Sequence, residues 1–215
     1  MRVALAKPTF PFVAAGGLAG ALLAVGGGLI LVLPDRRELI LFGLYAVPSH
    51  TLVSPFPIEP PLLYFAKTNP PLLVAGLALL GCLLSGFFDY LLLMPLLHHR
   101  ALRPKYENTR FFRKGVAFFH KSPFLLLIVV HPSPIPFYPF KFLSIASKYG
   151  FWRYQVAAVI GRAPRYYVLA WFGHTVELPN WALVALVLVF LALFYTRYRR
   201  ARVEMEASQV TERGR

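Results

Sequence analysis

Apolar and polar positions are sorted along the chain into long apolar runs separated by short polar stretches. About 20 consecutive apolar residues make a helix that crosses a bilayer, and four runs are of that order: roughly 12–34, 72–97, 154–173 and 181–196. They predict four transmembrane helices. Two further apolar stretches are punctuated by proline, 39–66 at Pro48, Pro55, Pro57, Pro60 and Pro61, and 123–147 at Pro132, Pro134, Pro136 and Pro139. Proline lacks a backbone donor and clashes with the preceding turn, so neither stretch predicts one continuous helix. Unpaired backbone at membrane depth is tolerated only where protein or a water-filled cavity covers it. Both breaks are therefore expected to face the interior, as re-entrant hairpins or broken transporter helices.

Composition agrees. The chain is 57% apolar, above the ~45–50% of soluble domains, which excludes an ordinary soluble protein. It nevertheless carries a net charge of +14, from 23 Lys and Arg against 9 Asp and Glu. A nucleic-acid binder would be charge-rich throughout, whereas here the charge collects in a few short stretches, so a lipid surface and not nucleic acid is the expected neighbour. Segment 98–121 holds Arg100, Arg103, Lys105, Arg110, Arg113, Lys114 and Lys121 against Glu107 alone, and the tail opens with Arg197, Arg199, Arg200 and Arg202. Lys and Arg near span ends favour the cytoplasmic side. Six full crossings would put these two regions on opposite sides. Four spans plus two hairpins that enter from opposite faces put both inside, with the amino end, and leave 35–38, 66–71 and 174–180 outside. The expected fold is thus an all-α polytopic membrane protein built from two similar, inverted units.

This divides the chain into an N-terminal anchor (1–38), a central domain with both hairpins (39–173), a last transmembrane helix (174–199) and a basic, disordered cytoplasmic tail (200–215). The first run follows Arg2 and Lys7 and, at about 23 apolar residues, exceeds a signal-peptide core, so an uncleaved anchor is expected. Its Gly16 and Gly20 either support close helix packing or reflect ordinary glycine enrichment. Segment 103–121, with Phe111, Phe112, Val116, Phe118 and Phe119 among its basic residues, is either an amphipathic helix on the inner leaflet or a connector that only sets orientation. Cys82 is the single cysteine, which excludes an intrachain disulfide and a multi-cysteine metal site.

Ionisable residues at membrane depth are costly unless paired or wetted, and each is a candidate for function. Glu59 lies at the first break and could carry a proton or pair with an arginine. Asp89 lies about two turns from the basic end of its run, with Arg162 and Arg165 as natural partners. Those two arginines share a helix face at i, i+3 spacing and could bind a phosphate or a pair of carboxylates through guanidinium forks. Lys141 and His131 bracket the second break; Lys141 could meet a lipid phosphate or reach the interface along its stem, and His131 alone reads as structural. His98 and His99 lack a matching acidic cluster and are poor metal ligands. No phosphate-cradling loop, nucleophile elbow or zinc helix is present, so neither metal nor cofactor is expected.

The proline-broken segment with an embedded acid, the glycine-rich span ending in Asp89 and Tyr90, the basic loop through Phe111, Phe112, Arg113, Lys114 and Gly115, and the second proline-rich hairpin resemble the DedA family, also called SNARE-associated or VTT-domain membrane proteins. The stretch from Pro132 through Gly161, Arg162, Pro164, Arg165 and Tyr166 to Gly173 looks most like its small YqaA-type bacterial members, and the resemblance covers roughly 39–173. It implies a bacterial inner-membrane protein with paired inverted re-entrant hairpins that translocates or scrambles lipid, including polyprenyl phosphates, in some members with proton or sodium coupling. By position Glu59 would be the acid of the first hairpin and Asp89 the second acid. Many members carry two arginines in the second hairpin where this chain has His131 and Phe137, which leaves Lys141 or Arg162 and Arg165 to supply positive charge. The leading expectation is a lipid translocator or scramblase, with membrane lipids as partners and a homo-oligomer open. The alternatives are a membrane enzyme acting on lipid phosphates, with Asp89 and a histidine as acid and base, and an assembly protein whose charges pair only with partners.

Overall fold

Apolar runs free of internal breaks become long helices, and the proline-rich stretches become pairs of short ones. The computed structural model describes residues 10–51, 57–97, 110–132, 138–176, 178–193, 195 and 196, with no strand among them. Helix α1 is Phe10–Val32, followed by a 3-10 turn over Pro34–Arg36. The first broken stretch gives α2 (Arg37–Ser49) and α3 (Glu59–Ala66), and α4 (Pro71–Leu97) follows. Helix α5 is Arg110–Lys121. The second broken stretch gives α6 (Pro123–Val130) and α7 (Tyr138–Ala146), then α8 (Phe151–Thr175) and α9 (Asn180–Leu193). The prolines have a common logic. Pro60 and Pro61 lie in the first turn of α3 and Pro139 in that of α7, where a missing N–H costs no hydrogen bond. Pro48 lies inside α2, where it forgoes the bond to the carbonyl one turn back, and the helix ends one residue later at Ser49.

Two of the four anticipated spans, Val13–Val32 and Pro71–Pro95, are helices long and apolar enough to cross a membrane. Helix α8 has the length, 25 residues, but it carries Arg153, Arg162 and Arg165. Helix α9 is apolar but shorter. The expected tail, the His98 and His99 pair, residues 103–109 and Phe137 lie outside the described residues.

Packing reveals two units of the same plan, each a short helix, a break, a second short helix and a long helix: α2–α3–α4 and α6–α7–α8. The first short helix of each lies on its own long helix, α2 on α4 and α6 on α8. The second lies on the long helix of the other unit, α3 on α8 and α7 on α4, while α4 and α8 pack on each other. Glycine permits the closest approaches. Gly81 and Gly161 are each the eleventh residue of their long helix; a Cβ on Gly81 would sit 2.4 Å from the Ala46 Cβ of α2, and one on Gly161 2.7 Å from the Ile128 carbonyl oxygen of α6. Both breaks also begin alike, with a buried histidine whose Nδ1 donates to a carbonyl one turn back: His50 to Ala46 at 2.6 Å and His131 to Leu127 at 2.5 Å. The sequence preserves the repeat in Ser54-Pro55-Phe56-Pro57-Ile58-Glu59-Pro60 and Ser133-Pro134-Ile135-Pro136-Phe137-Tyr138-Pro139.

Two cores result. Phe42, Leu62, Val74, Ala78 and Ala170 fill the first, between α2, α3, α4 and α8. Phe119, Leu127, Ile145, Tyr154 and Ala157 fill the second, between α5, α6, α7 and α8. Helix α1 packs outside on α2 and α4, and α5 on α6 and α7. Gly16 and Gly20 of α1 meet nothing within 4 Å, whereas Gly26 abuts Leu44, so the close contact of α1 lies one to two turns beyond the glycine pair. Substitution of the notch glycines tests this packing. Gly81→Ala and Gly161→Ala should each destabilise by about 1–3 kcal/mol, the cost of overpacking. Gly76→Ala on the open face of α4, where nothing lies within 4 Å, should be neutral or stabilising by up to about 1 kcal/mol. Unfolding in detergent micelles reads all three, and equal effects at Gly76 and Gly81 would contradict the notch.

Candidate functional site: ion pairs between the units

The polar residues of the interior come from the ends of the short helices and from one face of each long helix. Helix α7 buries Lys141 to 1% side-chain exposure against α4, where its Nζ forms an ion pair with Asp89. The same ammonium donates to the His50 carbonyl at 2.9 Å, so Lys141 ties the second unit both to α4 and to the first break. The His50 ring completes the junction. A carbonyl only accepts, so its contact with Ala46 places the proton of the neutral ring on Nδ1. Nε2 is then the acceptor for the Tyr166 hydroxyl of α8, with which it makes a short hydrogen bond. One residue at the first break thus contacts both α7 and α8.

Arg162, also buried, donates from Nη1 to the Cys82 Sγ at 2.7 Å where α8 meets α4. Its charge acts on His50, His131 and Lys141, which places these groups in one electrostatic neighbourhood. His131 packs edge-on against Tyr154, ring centroids 6.0 Å apart. Toward the α3 side, Arg165 Nη2 donates to Glu59 Oε1 at 2.6 Å, and this pair is only partly buried.

Asp89, Lys141, Arg162 and His131 are therefore brought together, and Glu59 with Arg165 forms a separate pair next to Tyr166, whose hydroxyl both charges influence. The ion partner of Asp89 here is Lys141, which the sequence reading had not nominated. The two arginines, although three residues apart on α8, reach partners on different helices, Cys82 on α4 and Glu59 on α3. Their angular separation of about 60° around the helix is enough to send one to each neighbour. Sequence reasoning missed His50 and Tyr166. The signal was present: His50 precedes the first proline break as His131 precedes the second. Gln155 Nε2 donates to the Leu83 carbonyl at 2.7 Å. Its Oε1 and the Ser85 Oγ are buried without a hydrogen-bond partner among the described residues.

A cavity of about 530 Å³ opens beside this cluster between α1, α2 and α4. Its walls are Ala19, Leu22 and Leu23 of α1, Leu44, Val47 and Pro48 of α2, and Phe88, Leu92 and Leu93 of α4, with Thr51. Asp89 is the one ionisable residue in this described lining. The volume falls within the ~300–1,000 Å³ of ligand-sized sites. Among the described residues no group of three or more His, Cys, Asp or Glu could hold a metal ion. Comparison with protein-family models, curated proteins and solved structures finds no match.

The two ion pairs should differ in their sensitivity to substitution. Removing one partner of a buried pair strands a charge, so Asp89→Asn or Lys141→Met alone should cost about 3–5 kcal/mol, and Asp89→Leu combined with Lys141→Met much less than the sum. The more exposed Glu59→Gln and Arg165→Gln should each cost about 1 kcal/mol or less. Detergent unfolding of the set is the measurement, and equal costs at the two pairs would contradict the difference in burial.

Proposed function

We propose that the chain is a membrane lipid translocator or scramblase, and that the cavity beside Asp89 is where lipid meets the protein. The observation that carries this reading is an apolar cavity of about 530 Å³ whose lining includes Asp89, an acid held in a buried ion pair with Lys141. Its walls suit acyl chain, and the Asp89 carboxylate among them suits a polar headgroup. In an interior this apolar, an ion pair that only held helices together could be replaced by packed side chains at little cost. Its position at a lipid-sized cavity gives it a use.

The membrane arrangement belongs to the same proposal. Two helices can cross by length and composition, and large apolar side chains stay exposed on others, among them Val168 and Trp171 on α8 and Val184 and Leu188 on α9, as suits helices solvated by lipid. We read α1, α4, α8 and α9 as four spans and the pairs α2–α3 and α6–α7 as re-entrant hairpins from opposite faces, in a bacterial inner membrane with both termini cytoplasmic. This is the architecture that the DedA resemblance implies. The two-unit packing and the helix breaks flanked by His50 and His131 support it. A phospholipid or polyprenyl phosphate is the substrate class, and Asp89 with Lys141 is the pair that a headgroup engages.

Reconstitution tests this directly. In liposomes carrying a headgroup-labelled lipid, purified protein should let a membrane-impermeant reductant bleach label from both leaflets, whereas empty liposomes lose only the outer share. Asp89→Asn should slow exchange by about tenfold or more, as befits loss of a charged hydrogen-bonding partner worth about 1.5–3 kcal/mol. Exchange no faster than in empty liposomes would end the proposal.

A further inference from the structure

Among its described side chains, helix α5 turns one face to the bundle and leaves the other exposed. Phe119 is fully buried, Val116 is packed in the second core, and a Cβ on Gly115 would touch Leu143 of α7 at 3.3 Å. The face of Gly115, Val116 and Phe119 is therefore packed against the bundle and is not what meets a leaflet. At 100° per residue, Arg110, Arg113, Lys114 and Lys121 fall on the opposite side; Ala117, Phe118, His120 and Lys121 there are exposed, Phe118 by 58%. Tyr149 stacks edge-on against Phe119, centroids 5.6 Å apart, which brings the α7–α8 turn to this helix, with exposed Arg153 and with Trp152 at 73% exposure. No Asp or Glu occurs from 108 through 176, so neither α5 nor the unit after it supplies a counter-charge.

From these observations we propose that the outer face of α5, continued by Arg153 and Trp152, is a docking surface for anionic lipid headgroups. Charge complementarity names the occupant: four Lys and Arg on one helical face with no acid, beside exposed aromatic side chains suited to the headgroup level. The surface lies against α6 and α7, so it gathers anionic lipid next to the second break. It requires membrane placement of the chain but does not depend on translocation.

Trp152 is a built-in reporter. With Trp171→Phe and Trp181→Phe removing the other tryptophans, the full chain is reconstituted in phosphatidylcholine vesicles containing a minor fraction of phosphatidylglycerol. Bromines are placed on the acyl chains of one lipid or the other at equal mole fraction. Brominated phosphatidylglycerol should quench Trp152 more strongly, and the derived local enrichment should fall by at least about fivefold when Arg110, Arg113, Lys114 and Lys121 all become Gln, since each of these charges is attracted to an anionic surface. High salt should reduce it similarly, and the Arg↔Lys exchange variant, which keeps every charge, should retain it. Equal quenching by the two lipids overturns this proposal alone, because charges that only set orientation would produce no local enrichment. Quenching by neither lipid overturns it together with the membrane placement, whatever the exchange assay shows.

Discussion

Helices α4 and α8 lie against each other, and every other element of the two units is placed by reference to that contact. Small residues allow that contact, because they let backbones and many side-chain atoms meet. The long helices supply them. Gly86 makes room for Gln155, Gly81 receives α2 and Gly161 receives α6. At the same crossing Arg162 reaches Cys82. Once α4 and α8 are paired, α3 can lie on α8 and α7 on α4, which carries each unit across onto the other. The ion pairs follow from that exchange: Glu59 meets Arg165 because α3 lies on α8, and Asp89 meets Lys141 because α7 lies on α4.

The parts of this structure legible in the sequence are those fixed by local chemistry. Uninterrupted apolar runs gave α1 and α4, and clustered prolines located both breaks, whereas the lone Pro164 is carried inside α8. Proline costs no hydrogen bond in the first turns of α3 and α7, so those helices begin at their prolines, whereas α2 stops one residue after Pro48. Pairing was not legible. Arg162 and Arg165 were the partners expected for Asp89, and only the crossing of α7 onto α4 selects Lys141. The two faces of α5 were visible as a pattern, but not which face the bundle would take. His50 was overlooked because an isolated histidine in an apolar run carries little information. Its meaning comes from its equivalence to His131, and that equivalence required the repeat to be seen.

The repeat is close in backbone and divergent in charge. Both acids of the two ion pairs, Glu59 and Asp89, belong to the first unit, and both bases, Arg165 and Lys141, to the second. The second unit holds no acid at all. Two units of identical charge would place like charges opposite one another at the interior crossings, where low polarity makes repulsion severe. With acids on one unit and bases on the other, each crossing is attractive, and a unit paired with a copy of itself would be penalised at both positions. Divergence in charge therefore specifies that the first unit joins the second. With α5 just ahead of it, the second unit completes a stretch, 108–176, of nine Lys and Arg and no acid, which supplies +9 of the chain's net charge of +14.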